Sequence, residues 1–330
     1  MNLRDIQKNF NTRTKCIKFL EQKKWGNKPV SPYTGKTNVT RRKGTIYFHC
    51  NDTNKDFTVL KDTIFEASKL PLPTWFLLIA IMLNAKKGIS SSQLARQMGI
   101  TYKTAWFAQM RVRCAMVDED PILEGIVEMD ETYVGGKPKW RGIKVDPSVA
   151  NLGNVTQEKP KRGRGTSKVP VVGIVERSGK KRVITKVMES LTSRDMLGML
   201  KKYVALDKSI MMTDEFRSYR AFDDYLQHLT IQHKKEYVRG IIHTNTIEGF
   251  WSIVKNGIKG QYQALSKKYL PFYMVEFAFK YNNRADKSSF AKIIGSAIDS
   301  DKCVVQYKPK GNVTRTTNPP IRKKAKVTTK

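Results

Sequence analysis

Apolar and polar positions divide the chain into stretches with different periods. The longest apolar run, Trp75 to Leu83, lies in TWFLLIAIMLNAKK and predicts a buried helix. Gly88 stands just past its end, where a left-handed residue closes a helix. Ser90, with Gln93 three residues on, is a capping-box start for SSQLARQM. Gly99 makes a turn and Thr101 caps a second helix. On that helix Trp106, Met110, Cys114 and Val117 form an apolar stripe, while Lys103, Thr104, Gln109, Arg111 and Arg113 fall elsewhere. Helix, glycine turn and a helix with a basic polar face is the helix-turn-helix pattern of DNA readers. The same residues also suit an ordinary helical hairpin with its charges in water.

Residues 122–295 read as an α/β domain with a mixed sheet and flanking helices. ILEGIVEMDETYV is strand-like, and VPVVGIVER and KRVITKVMES are two more strands joined at Ser178 and Gly179, a hairpin signal. Ser193 caps a helix, KSIMMTD is a strand, RSYRAFDDYL a helix and LTIQHKKEY a weaker strand; Asn245 then opens the last helix of this series. Residues 1–60 are polar and turn-rich, with SPYTGK as a tight turn and GTIYFHC and DFTVL as short strands, which predicts a small β unit. Residues 61–118 form the helical region, and 296–330 a basic disordered tail.

Composition changes this picture in one direction. Lys and Arg number 61 against 29 Asp and Glu, for a formal net charge of +32. That excess draws the chain to phosphates, and a nucleic acid is the expected partner. The basic loop KPKRGRGTSK, with Lys161, Arg162 and Arg164, joins Lys103, Thr104, Arg111 and Arg113 as candidate DNA contacts. The longest apolar run is too short to span a bilayer, and the polar N-terminus shows no signal peptide. Four scattered cysteines without a CxxC spacing suit reduced thiols in a cytoplasmic, nucleoid-associated protein.

Three acids stand out against this charge. Asp130 follows the first strand, Asp214 ends the fourth, and Glu248 lies on the later helix with Trp251 and Lys255 at helical spacing. Taken singly, each has an ordinary explanation: a strand end, a helix start, or, for Asn245 with Glu248, a capping box. Together they suit phosphodiester cleavage, which is served by two hard cations ~4 Å apart held by few carboxylates.

The blocks DETYVGGK, TDEFRSY and HTNTIEGFWSIVK resemble those of the DDE transposases of bacterial insertion sequences, in the branch related to Merlin elements. KLPLPTWFLLI and GISSSQLARQMGITYKTAWFAQMRVR resemble the segment that precedes the catalytic domain in that branch. The resemblance implies an RNase H-like catalytic domain, with Asp130, Asp214 and Glu248 as the metal-binding triad and Lys255 as a further catalytic position. It also implies two Mg²⁺ or Mn²⁺ ions, strand cleavage at element ends and strand transfer into target DNA. Double-stranded DNA, as terminal inverted repeats and target, is the implied partner, and joining two ends calls for a homo-oligomer on DNA. The N-terminal zinc ribbon of that branch maps onto residues 31–53, where this chain has Ser31, Thr34, Cys50 and Thr53. One thiol cannot hold a structural zinc, so none is expected. A catalytically silent DNA-binding protein derived from a transposase, a different RNase H-like nuclease and a nucleoid-packaging protein are the competing readings.

Overall fold

The polar opening of the chain conceals two helices. The structure, a computed structural model, describes residues 2–117, 121–135, 168–231 and 242–299. Helices α1 (Leu3–Asn9) and α2 (Arg13–Trp25) precede the small β unit. Asn2 and Asp5 form a capping box at α1, and Thr12 caps α2. Only Ile6, Cys16, Ile17 and Leu20 are buried on them, a stripe too thin to announce itself among so many Lys and Arg residues. The expectation of a turn-rich β unit over residues 1–60 is therefore corrected. Strands β1 (Val39–Arg41), β2 (Phe48–Cys50) and β3 (Lys55–Phe57) pair antiparallel around Phe48, Cys50 and Phe57, but they occupy only the second half of that span.

Helices α3 (Leu72–Asn84), α4 (Ser91–Met98) and α5 (Tyr102–Ala115) follow. Ser90 Oγ accepts the Gln93 amide, Gly99 is left-handed at φ 63°, and Thr101 Oγ1 accepts the Thr104 amide, which fixes the turn between α4 and α5. The helical core gathers Trp75, Phe76 and Ile79 of α3 with Ile6 and Leu20 from the N-terminus and Phe290, Ile293 and Ile294 of α9 (Ser289–Ala297). The segment after about residue 285 thus packs with the helices rather than with the sheet, which corrects the 122–295 boundary.

The sheet has five strands: β4 (Leu123–Val134), β5 (Val169–Glu176), β6 (Val183–Val187), β7 (Val204–Asp214) and β8 (Gln227–Ile231). Their order is β6-β5-β4-β7-β8. β5 pairs antiparallel with both β4 and β6, and β7 and β8 run parallel to β4. Three antiparallel strands extended by two parallel ones are the RNase H-like arrangement. Both faces are covered, so β5 reads as a nearly continuous apolar run. One face packs Leu123, Val127, Met129 and Ile174 against α6 (Ser193–Tyr203) and a short 3₁₀ turn, Arg217–Phe222. That turn stands where the sequence predicts a full helix, and Thr192 rather than Ser193 caps α6. The other face packs Val171 and Val175 against α7 (Asn245–Gly257) and α8 (Leu270–Asn282).

Gly173 shows how closely α7 lies on this face. A Cβ at that position would stand 2.6 Å from Trp251 Cζ2 and 2.9 Å from Ile247 Cδ1.

Candidate active site

The site is built on the two central parallel strands. In the register of β4 and β7, Glu128 stands opposite Met212; two residues further along both strands are Asp130 and Asp214, whose carboxylates come within 4.8 Å of each other. Alternation then fixes the face. Val127, Met129 and Met211 point into the core under α6, so Glu128, Asp130 and Asp214 share the opposite face, under α7. Asp214 is the last residue of β7, and its Oδ1 accepts the Phe216 amide at 3.0 Å as the chain turns away.

Glu131 joins them from the other face. Asp130, Glu131 and Asp214, all half-buried, each offer a carboxylate oxygen within 4.8 Å of the others. Glu131 is oriented by the buried Tyr219, whose hydroxyl donates to its Oε2 at 2.8 Å. Burial, then Glu131 and Asp214, and more weakly Glu248, push the Asp130 carboxyl up to about 7. Tyr219 is held in its neutral form by burial and by the same acids. Crowded carboxylates of this kind oppose one another's ionisation until a cation offsets the charge. Their oxygens are hard donors of the kind Mg²⁺ and Mn²⁺ prefer, so the residues fit such an ion.

Glu248 lies outside this group of three, in the exposed first turn of α7, where its Oε1 accepts from Thr244 Oγ1 at 2.9 Å. It adds weakly to the upward push on the Asp130 carboxyl. The capping-box reading of Asn245 and Glu248 is corrected. The N-cap is Thr244, which makes no side-chain cap. The Ile247 amide is taken instead by Glu128 Oε2 at 2.8 Å, from a strand 119 residues away. Lys255 is exposed two turns after Glu248, while Ile247, Phe250, Trp251 and Val254 are buried. Trp251 is therefore a core residue. Its indole N–H has no protein acceptor among the described residues, a cost of ~1–3 kcal/mol. Burying its ring is worth more, on the order of 4–6 kcal/mol from its area.

The predicted DNA contacts divide. Lys103 is exposed at the start of α5, and Thr104 is half-buried with its hydroxyl 2.9 Å from that of Thr101. Arg113 is a correction: it is 0% exposed, and its Nε donates to Glu276 Oε2 at 2.7 Å. Arg111 is half-buried and donates through Nη1 to the carbonyls of Ile64 and Glu66, so it is spent on the fold. Gln109, read as pointing away from the stripe, is also fully buried, bonded to Ser91 and the Ile89 carbonyl. Lys161, Arg162 and Arg164 lie outside the described residues.

At the β unit, Ser31 Oγ donates to Cys50 Sγ at 3.1 Å. The turns 31–35 and 50–54 repeat one design, each with a left-handed residue at its fifth place, Gly35 at φ 70° and Asn54 at φ 51°. The hydrogen bond from Ser31, with a smaller effect of Thr53, lowers the Cys50 thiol to about 7. One thiol with three hydroxyls does not fit a tetrahedral zinc.

Residues 122–282 match the ISXO2-like transposase domain. The chain is 28% identical over 282 residues, 83% of its length and 92% of the other, to an "Uncharacterized protein in transposable element ISH50" of Halobacterium salinarum. Solved structures with slight likeness include the Mos1 strand transfer complex, at 15% identity and TM-score 0.28 over 68% of this chain and 78% of the other. A Mos1 transposase paired-end complex is 13% identical at TM-score 0.25, over 80% and 84%. Domain match and relative both support a transposase of an insertion sequence. No helix among the described residues is long and apolar enough to cross a membrane.

Proposed function

We propose that this transposase cleaves DNA strands at the ends of its element and transfers them into target DNA, using divalent cations held at the β4–β7 edge. The observation that carries the reading is the meeting of the Asp130, Glu131 and Asp214 carboxylates within 4.8 Å on two neighbouring parallel strands, supported by the first turn of α7, which carries Glu248 and is bonded through the Ile247 amide to Glu128 on β4. Asp130, Asp214 and Glu248 would hold a pair of Mg²⁺ or Mn²⁺ ions, and Glu131 adds a fourth carboxylate that the sequence reading left unassigned. Bound there, the ions supply Lewis-acid charge that activates water and stabilises the leaving oxygen.

The chain's own groups do the rest. Asp130 and Asp214 would share the cationic charge between two strands that the sheet keeps from moving apart. Tyr219 keeps Glu131 turned to the edge. Lys255 would pair as a point charge with a phosphate beside the scissile bond. Hydrolysis leaves a 3′ hydroxyl on the element, and its attack on a target phosphodiester joins the two while releasing the target's own 3′ end. Lys103 and Thr104, at the N-terminal end of α5, would meet duplex DNA at the terminal inverted repeats, and joining two ends requires at least two copies of the chain.

The test is a nicking assay on duplexes carrying the inverted repeats that flank the coding region, with Mg²⁺ or with chelator. The reading expects nicks at the repeat ends with Mg²⁺ only, and none from Asp214→Ala although that variant still retards the duplex. Equal nicking by Asp214→Ala would sink it. The loss of three thiols at the β unit favours a second reading, a DNA-binding protein without catalysis; wild-type retardation with no nicking would select it.

A further inference from the structure

Every helix must find acceptors for its first amides, and α7 finds one of them in an unusual place. Glu128 is fully buried on β4, on the face that carries Asp130. Its Oε2 takes the Ile247 amide at 2.8 Å, and its Oε1 takes the Nε–H of Arg177, the residue that follows β5. Arg177 in turn donates through Nη2 to the His243 carbonyl and, at 2.9 Å, to His243 Nδ1. The Asn245 amide donates to the same Nδ1 at 3.3 Å, so that nitrogen acts as an acceptor. A carboxylate, a guanidinium and an imidazole from three separate segments thus close around the start of one helix. Arg177 keeps 13% of its side chain exposed and His243 23%, so the chain of contacts runs from the core outward to the edge where Glu248 stands.

We infer that Glu128, Arg177 and His243 are positioning residues of the acidic edge. They tie the first turn of α7 to the strand that bears Asp130, and so set where Glu248 stands relative to Asp130 and Asp214. Glu128 is two residues before Asp130 on the same strand face, and Ile247 is the residue before Glu248. The tie therefore spans the same gap that a metal held by Asp130 and Glu248 would bridge. A propensity-driven cap on Asn245 would have fixed the helix start but left its distance from β4 unset. The inference rests on the transposase reading of that edge.

The test compares the full chain with His243→Ala and Glu128→Gln. Three quantities are measured: amide exchange at residues 245–248, Mn²⁺ binding by titration, and Mg²⁺ dependence of nicking. Residues that orient metal ligands typically change metal affinity or activity ~10–100-fold when removed. His243→Ala is expected to speed exchange in the first turn of α7 but not in α8. It should also raise the Mn²⁺ concentration for half-saturation on the order of tenfold, with end-DNA retardation unchanged. Glu128→Gln keeps an acceptor for the Ile247 amide and should fall between wild type and His243→Ala. Faster exchange with unchanged Mn²⁺ binding would overturn the inference, leaving a fold anchor only; so would lost DNA retardation with unchanged Mn²⁺ binding. If wild type binds Mn²⁺ in a His243-dependent way yet never nicks, the positioning role stands and the transposition chemistry fails.

Discussion

Helices α5 and α7 carry similar patterns, an apolar stripe interleaved with charges, and the fold treats them in opposite ways. On α7 the stripe Ile247, Phe250, Trp251 and Val254 is buried, while Glu248 and Lys255 face out. On α5, Gln109 and Arg113 are as deeply buried as Met110 and Cys114 beside them. The cause is packing. α7 lies on one face of a sheet and keeps a free side. Past its first turn, α5 is surrounded by α3, α4, α8 and α9, so even the charged positions Arg111 and Arg113 meet protein. A buried charge survives there only with a partner, and Glu276, shared by Arg113 and Lys280, provides it. Those two cations, against burial, lower the Glu276 carboxyl to about 2. A charge on a helix is thus a candidate for chemistry only where the helix has an open side.

The sharpest way to break this comparison is to remove one charge from each region. Asp214→Ala should reduce strand cleavage at least ~1000-fold, about 4 kcal/mol of barrier, with little change in thermal stability. Arg113→Ala should do the reverse, destabilising the fold by about 3–5 kcal/mol because Glu276 is left buried beside one cation fewer. Denaturant unfolding and the nicking assay read both. If Arg113→Ala folds normally and loses only DNA binding, the inward assignment of α5 is wrong.

The acidic edge carries a pH signature. The Asp130 carboxyl is raised from 3.8 to about 7 in the fold, so between those values the folded state holds a proton that the unfolded chain has released. Stability of the metal-free protein should therefore fall as pH rises through that window. Asp130→Asn should remove the slope and gain on the order of 2–4 kcal/mol above pH 7, read as Tm against pH in chelator. A flat wild-type profile would contradict the crowding of carboxylates.

Gly173→Ala probes the contact between α7 and the sheet. The added methyl meets Trp251 and Ile247 well inside contact distance, and overpacking of this kind costs ~1–3 kcal/mol. Nicking should fall with it as the helix lifts. The smallest effect belongs to Lys103→Ala, which should weaken binding of all duplexes alike and lower the salt slope by about 0.9 for one phosphate contact. An unchanged slope would remove Lys103 from the interface.

The parts legible in the sequence are those set by neighbours along the chain. The α4–α5 turn could be read because Ser90, Gly99 and Thr101 act within a few residues of themselves. Asp130 and Asp214 could be picked out because each follows an apolar strand run, and parallel pairing brings the two together. What stayed hidden depends on distant partners. Arg113 meets Glu276 163 residues on, and Arg177 meets Glu128 49 residues back. Glu131 points to the other face from Asp130, and strand alternation argues against its joining the cluster; at the strand end, with Tyr219 steering it, it does. Helices α1 and α2 bury so few residues that they make sense only against α3 and α9.

Whether the acids of β4 and β7 hold a divalent ion together is the point on which the account turns. Titrating Mn²⁺ into the full chain and into Asp130→Asn/Asp214→Asn measures it directly. The account predicts saturable binding to wild type and its loss in the double variant, with both proteins folded to the same Tm in chelator or the variant higher. Equal Mn²⁺ binding by the two would contradict it.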